Sequence, residues 1–334
     1  MEKFSFEPMI IVVKKLPVAT YVLDTYWKFA AQRQEVFFNR LDGKTILTND
    51  PILLKHKFTN AYRAADRASQ YLISEIIYKG DQTPDELLFR ILLFKLFNKI
   101  ETWQLLQDEL GTVAWRDYSF NRYSQILHQA LGAGERVYSG AYMMASGASS
   151  FGHARKHENH LKLVEQMMRM RLADRIRETE SFEAVYQLLL NFPTIGPFLA
   201  YQYATDINYS NLTDFSEMDF VMPGPGAKDG IRKCFKSLGG YTEADVIRYV
   251  TDRQKQEFER LSIGFKTLWG RPLQLIDCQN LFCETDKYAR VAHPEAGGIS
   301  GRTRIKQLYS ANHRSIDYFF PPKWGLNDRL GIST

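Results

Sequence analysis

The chain has 334 residues, 45% of them hydrophobic, enough to build a substantial core and to exclude a disordered chain. Net charge is +5 with a pI near 8.9, compatible with a polyanionic partner. Three cysteines without disulfide or zinc spacing point to a reducing, cytoplasmic setting, and no apolar stretch is long enough to span a membrane.

In chain order, residues 1–20 read as an irregular or short-stranded arm. Its apolar run Met9–Val13 is too short and ill-flanked for a signal peptide. A helix follows over about 20–40, carried by Val22, Leu23, Tyr26, Phe29 and Phe37. Asp50-Pro51 starts the next segment, and a long helix is expected through Tyr62–Tyr71. Thr83 with Glu86 has the spacing of a capping box. The helix it opens is apolar almost all round from Leu87 to Phe97 and should lie at the buried centre. Further helices are expected near 121–132, 157–177, 181–191, 198–205, 226–237, 243–262 and 276–286. The fold class is therefore mostly α, with room for two helical lobes. Three parts are expected: an N-terminal arm and helix over 1–50, a helical core over 51–290, and a basic irregular segment over 291–334.

The most informative stretch is Phe192-Pro193-Thr194-Ile195-Gly196-Pro197-Phe198. Apolar runs on both sides and Pro-x-x-Gly-Pro between them predict helix, tight turn, helix, with Gly196 at the turn. Such a turn directs backbone N–H groups outward, which suits a phosphate. Downstream, Asp214, Glu217 and Asp219 crowd together. In a closed pocket their repulsion and desolvation would raise one pKa, as a general base requires; in solvent they are a simple acidic turn. Gly224-Pro225-Gly226-Ala227 is either an anion-binding nest at a helix start or a plain turn. No Gly-x-x-x-x-Gly-Lys-Ser/Thr phosphate loop occurs in the chain.

Three further groups carry chemistry. His153, His157 and His160 could share a helix face and, with Arg155 and Lys156, hold phosphate; the His-Glu-x-x-His pattern of a catalytic zinc helix is absent, and no metal is assigned. Asp277, Asn280, Glu284 and Lys287 form a polar stripe on one helix, lining a pocket or facing solvent. Arg302, Arg304 and Lys306, followed by Arg314 and Lys323, form a basic cluster suited to phosphates, or a basic tail.

The hairpin resembles the helix-hairpin-helix of DNA glycosylases, which place a catalytic Asp some twenty residues later. Four longer motifs widen the resemblance: FTNAYRAADRASQY over 58–71, LFKLFNKIETW over 93–103, GPGA over 224–227 and DCQNLFCE over 277–284. They resemble the DNA base hypermodification proteins, relatives of the α-glutamyl/putrescinyl-thymine pyrophosphorylases and of the helical domain of 5-hydroxymethyl-deoxyuridine DNA kinases. The resemblance runs from about Tyr26 to Trp324 and implies a helix-hairpin-helix glycosylase-like fold.

It also implies chemistry on a modified base flipped out of DNA, with pyrophosphate on a 5-hydroxymethyl group replaced by an amine. DNA is then the partner, together with an amine or amino-acid co-substrate and a separate base kinase. No cofactor is required, although Mg²⁺ could accompany pyrophosphate. On this reading Gly196 holds backbone phosphate, and Arg63 and Arg67, or Arg302, Arg304 and Lys306, neutralise the leaving group. Asp219, partnered by Glu217, deprotonates the amine, and Glu284 or Asp277 binds its charge. Two alternatives stay open. One is a DNA glycosylase using the same Asp219, monofunctional because Pro197 and Phe198 occupy the place of a lyase lysine. The other is a non-catalytic DNA-binding module.

Overall fold

A computed structural model describes residues 14–140, 144–310 and 316–331. Met9–Val13 and Arg314 lie outside the described residues. The architecture is helical, with a two-stranded antiparallel sheet joining β1 (Val18–Ala19) to β2 (Phe235–Ser237). No described helix is long and apolar enough to cross a membrane.

Helix α1 (Val22–Leu41) buries Tyr26, Trp27 and Phe29. Asp50 starts α2 (Pro51–Lys55) as read from the sequence, its carboxylate accepting the Ile52 and Leu53 N–H groups at 2.8 and 2.9 Å. The long helix expected through Tyr62–Tyr71 is instead broken. A 3₁₀ turn (Arg63–Ala65) precedes α3 (Arg67–Tyr71), which runs on as a π-helix over Leu72–Ile77.

The central helix α4 (Pro84–Phe97) is buried at every position from Glu86 onward, as its all-round apolar sequence requires. Its expected capping box does not form. The Thr83 amide and hydroxyl both donate to Asp81, at 2.9 and 2.8 Å, and Glu86 instead accepts the N–H groups of Trp115 and Arg116. Helix α5 (Ile100–Leu110) has no counterpart among the expected elements, and α6 (Phe120–Gly132) agrees closely with its expected range.

After the short α7 (Ala148–Phe151), the helix expected over 157–177 is two. It is α8 (Lys156–Arg169) and α9 (Leu172–Arg177), separated where Arg171 takes φ 55°. Helices α10 (Phe182–Leu190) and α11 (Pro197–Asn208) pack together across a tight turn. Helix α12 (Pro225–Cys234) ends early because the chain turns into β2. The helix expected over 243–262 divides at Arg253 into α13 (Glu243–Asp252) and α14 (Gln254–Arg260). Helix α15 (Leu275–Ala292) runs well past its expected end.

Helices α12 and α15 pack backbone to backbone. A Cβ added at Gly230 would lie 2.0 Å from the Phe282 carbonyl oxygen, and one at Gly226 2.3 Å from the Cys283 sulfur. Lys233 of α12 pairs with Asp286 of α15 at 3.0 Å, both buried. The buried apolar residues form one continuous cluster from Val22 to Leu326, so α1 and the C-terminal segment share the core of the middle of the chain.

Candidate functional site

The loop after α11 carries Asp214, Glu217 and Asp219, and the start of α15 carries Asp277. Glu217 is 5% exposed, whereas Asp219, two residues on, is exposed. The Asp219 backbone is fixed: its N–H donates to the Ser216 carbonyl at 3.1 Å, and its own carbonyl accepts from Arg248 at 2.9 Å. Burial thus separates the two acids that the sequence reading ranked with Asp219 leading and Glu217 supporting. Asp214 is also exposed, 3.5 Å from Lys323.

Glu217 pairs through Oε2 with Arg271, while its buried Oε1 has no hydrogen-bond partner. Arg271 lies 3.8 Å above the Trp324 ring. It is delivered by a tight loop in which Trp269 takes φ 49° and Gly270 φ 99°. The Tyr62 phenol pins that loop, donating to the Arg271 carbonyl at 2.6 Å and accepting the Leu268 N–H at 3.1 Å. Lys323 closes the same edge, donating to the carbonyls of Ser210 and Thr213 at 3.0 and 2.7 Å. Side-chain exposures of 20% for Arg271 and 17% for Lys323 make them the rim of an otherwise closed site.

Beneath the rim lies Asp277. Its carboxylate accepts the Arg63 backbone N–H at 2.8 Å and the Gln274 N–H at 3.0 Å. Burial, then the charge of Glu217, raises its pKa to about 7 against the pull of those two bonds. Burial likewise raises Glu217, opposed by Arg271, Arg63 and Lys323. The two carboxyls feel one another and both are pushed toward neutrality, Asp277 far enough to hold and release a proton near pH 7.

Arg63 joins this edge to a second buried network. It pairs with Asp206 at 2.7 Å and donates to Gln202 at 3.0 Å and to the Tyr209 hydroxyl at 3.1 Å. Lys95 takes the other Asp206 oxygen at 2.8 Å, and burial lowers its pKa to about 8. Arg63 is 1% exposed, so the expected phosphate contact there meets a closed interior. Arg67 lies half-buried at the start of α3.

Glu284 is buried but apart from the Glu217 edge. It accepts the Thr59 N–H at 3.0 Å and pairs with Lys287 at 2.7 Å, and Lys287 lies 4.6 Å over the Phe58 ring. The polar stripe is thus mostly inward, not a solvent face. Gly196 starts α11 with open space beside it, and no side chain caps that helix. The turn is held by Thr194 at φ 67°. Phe198 packs its ring on Gly224, where a Cβ would lie 2.6 Å away, so the Gly-Pro starts of α11 and α12 adjoin. Gly224 and Gly226 therefore answer first to packing, against Phe198 and Cys283.

Lys156 begins α8 with its ammonium 4.7 Å over the Tyr138 ring. The three histidines do not share a face. His153 precedes α8, His157 is buried, and His160 is held between the Tyr138 hydroxyl and the Ala145 carbonyl at 3.0 and 2.7 Å. Among the described residues no three His, Cys, Asp or Glu side chains gather as a metal site. Arg302 is tied to Asp229 at 3.0 Å, while Arg304 and Lys306 are exposed.

Sequence reasoning missed Arg271, Lys95 and Asp206. The last two carried a signal: a charge inside an apolar helix has to find a partner. Arg271 sits in an irregular loop with no period to mark it.

No solved structure matches the chain. A 5-hmdU DNA kinase of Bacillus phage SP10 is 25% identical over 300 residues, 82% of this chain and 46% of the phage protein, so the chain spans about half the length of that relative. The model of the family "5-hmdU DNA kinase, helical domain" matches residues 20–298, and the chain belongs to that family.

Proposed function

We propose that this protein modifies DNA at a 5-hydroxymethyluracil-type base, replacing pyrophosphate on the 5-methylene group by an amine. The observation that carries the reading is the Glu217 edge: a buried carboxylate with one oxygen on Arg271, the other unpartnered, and Asp277 near neutrality behind it. The family match and the phage relative supply the substrate class. The base leaves the stack, at a cost of a few kcal/mol. The open turn at Gly196 would receive backbone phosphate. Glu217 takes a proton from the amine, the amine nitrogen forms a bond to the 5-methylene carbon, and the carbon–oxygen bond breaks. Pyrophosphate leaves with that electron pair, toward Arg271 and Lys323. General-base help of this kind is typically worth ~10²–10⁴-fold.

The test incubates the protein with DNA bearing 5-hydroxymethyluracil or its pyrophosphorylated form, with and without an amine pool, and reads nucleosides by mass spectrometry. A heavier nucleoside with free pyrophosphate is expected. A free base with an abasic site would overturn substitution in favour of excision. DNA binding without either product would leave a binding module.

A further inference from the structure

The basic C-terminal segment is a strap tied along the molecule. Arg302 is fixed by Asp229 and by Ser300 at 2.8 Å, and the Arg304 carbonyl accepts from Arg290 at 3.1 Å. Beyond that, the strap pairs with the end of α2. Lys57 N–H donates to the Gln307 carbonyl at 3.1 Å, Tyr309 N–H to the Lys55 carbonyl at 3.0 Å, and His56 and Leu308 form an antiparallel bridge.

The end of α2 and the strap thus lie side by side and carry Lys55, Lys57, Arg304 and Lys306, all exposed. Their neighbours Arg302 and Lys287 are neutralised by Asp229 and Glu284. Among the described residues, none of the four has a carboxylate within ion-pair reach. Arg304 and Lys306 stand two residues apart on the strap, so their backbones are at most about 7 Å apart.

Helix α15 ties this strip to the site. Asp277 holds the Arg63 N–H, Glu284 the Thr59 N–H, and Arg290 the strap itself. At about 1.5 Å per residue the strip lies about 10–20 Å along α15 from Asp277. Cys283, beside Glu284, is where Gly226 of α12 packs, and α12 carries the hairpin through Phe198. Hairpin and strip therefore flank the same stretch of α15.

We propose that Lys55, Lys57, Arg304 and Lys306 form a second DNA-contact surface, separate from the hairpin, that engages backbone phosphates beside the modified nucleotide. This rests on the DNA reading above. Three of the four cations are lysines, point charges without the fork that reads base edges, so the strip's contribution is largely sequence-independent and salt-dependent.

The test is fluorescence anisotropy with a labelled duplex carrying one 5-hydroxymethyluracil, titrated across a salt series. The parent is compared with Lys55→Ala/Lys57→Ala/Arg304→Ala/Lys306→Ala and with Lys55→Arg/Lys57→Arg/Lys306→Arg, all with unchanged melting curves. Each lost phosphate contact lowers the slope of log K against log salt by about 0.9. The alanine variant should lose about 3.6 units of slope and more than tenfold in affinity at low salt, and the arginine variant neither. A parent that binds with an alanine variant of unchanged slope and affinity overturns the strip alone. A parent that does not bind DNA overturns the DNA reading, and the strip with it.

Discussion

Two charged clusters meet at Arg63, and they differ in how completely they are paired. In one, Arg63 and Lys95 each take an oxygen of Asp206, and none of the three side chains is more than 3% exposed. In the other, Glu217 has one oxygen on Arg271 and one with no partner, and its cations lie on a half-open rim. The closed network pairs its buried charges with one another and acts as internal scaffolding. The incomplete one has an acceptor to spare beside partly exposed cations. Burial of charge alone does not mark a site; a buried carboxylate oxygen left unpartnered beside partly exposed cations is the stronger candidate.

The largest effect should come from opening the closed network. Asp206→Ala leaves Arg63 and Lys95 buried without their shared partner and should cost about 3–5 kcal/mol in urea unfolding. A loss under about 1 kcal/mol would erase the contrast between the clusters. Glu217→Gln should do the reverse. It should lower single-turnover product formation by ~10²–10⁴-fold while shifting the melting temperature less than Asp206→Ala does. A variant that keeps its rate would remove Glu217 from the chemistry.

A third prediction separates the two carboxyls by pH. The Asp277 pKa is raised in the folded state to about 7 from an ordinary value of 3.8, chiefly by burial. The folded state therefore holds that proton more tightly. The stability it brings is full below about pH 4 and is lost as pH rises toward 7. Differential scanning fluorimetry across this window should show the parent losing stability relative to Asp277→Asn. Parallel curves would show that Asp277 keeps its ordinary titration. The smallest effect belongs to Asp219→Asn: turnover unchanged and stability within about 0.5 kcal/mol, because the carboxylate is exposed and only the backbone is held.

How far the sequence could be read follows from these residues. The buried centre α4 was legible because fourteen residues carry almost no polar face, and the α10–α11 turn because Pro and Gly punctuate it. The choice between Glu217 and Asp219 was not legible. They lie two residues apart in irregular chain, where no period fixes which side chain turns inward. Arg271 was invisible for a similar reason, since Trp269 and Gly270 place it through left-handed backbone that no hydrophobic pattern encodes. Helix breaks at Arg171 and Arg253 escaped because their flanks keep helical periodicity. The glycines of the 224–227 motif were legible as special, yet much of what they answer to is the proximity of Phe198 and Cys283.

That proximity has a mechanical consequence. The first turn of α11 is wedged onto α12 by Phe198, and α12 is set into α15 with a carbonyl where Gly230 would otherwise carry a methyl. The hairpin, the acid edge and the strap's anchor at Arg290 thus belong to one unyielding block. A duplex gripped at the hairpin would find nothing in this block that swings to meet it. On the proposed DNA reading, the bending, unstacking or rotation that would bring a nucleotide to Glu217 has to come from the nucleic acid, and sequences that deform readily around the target would be served first.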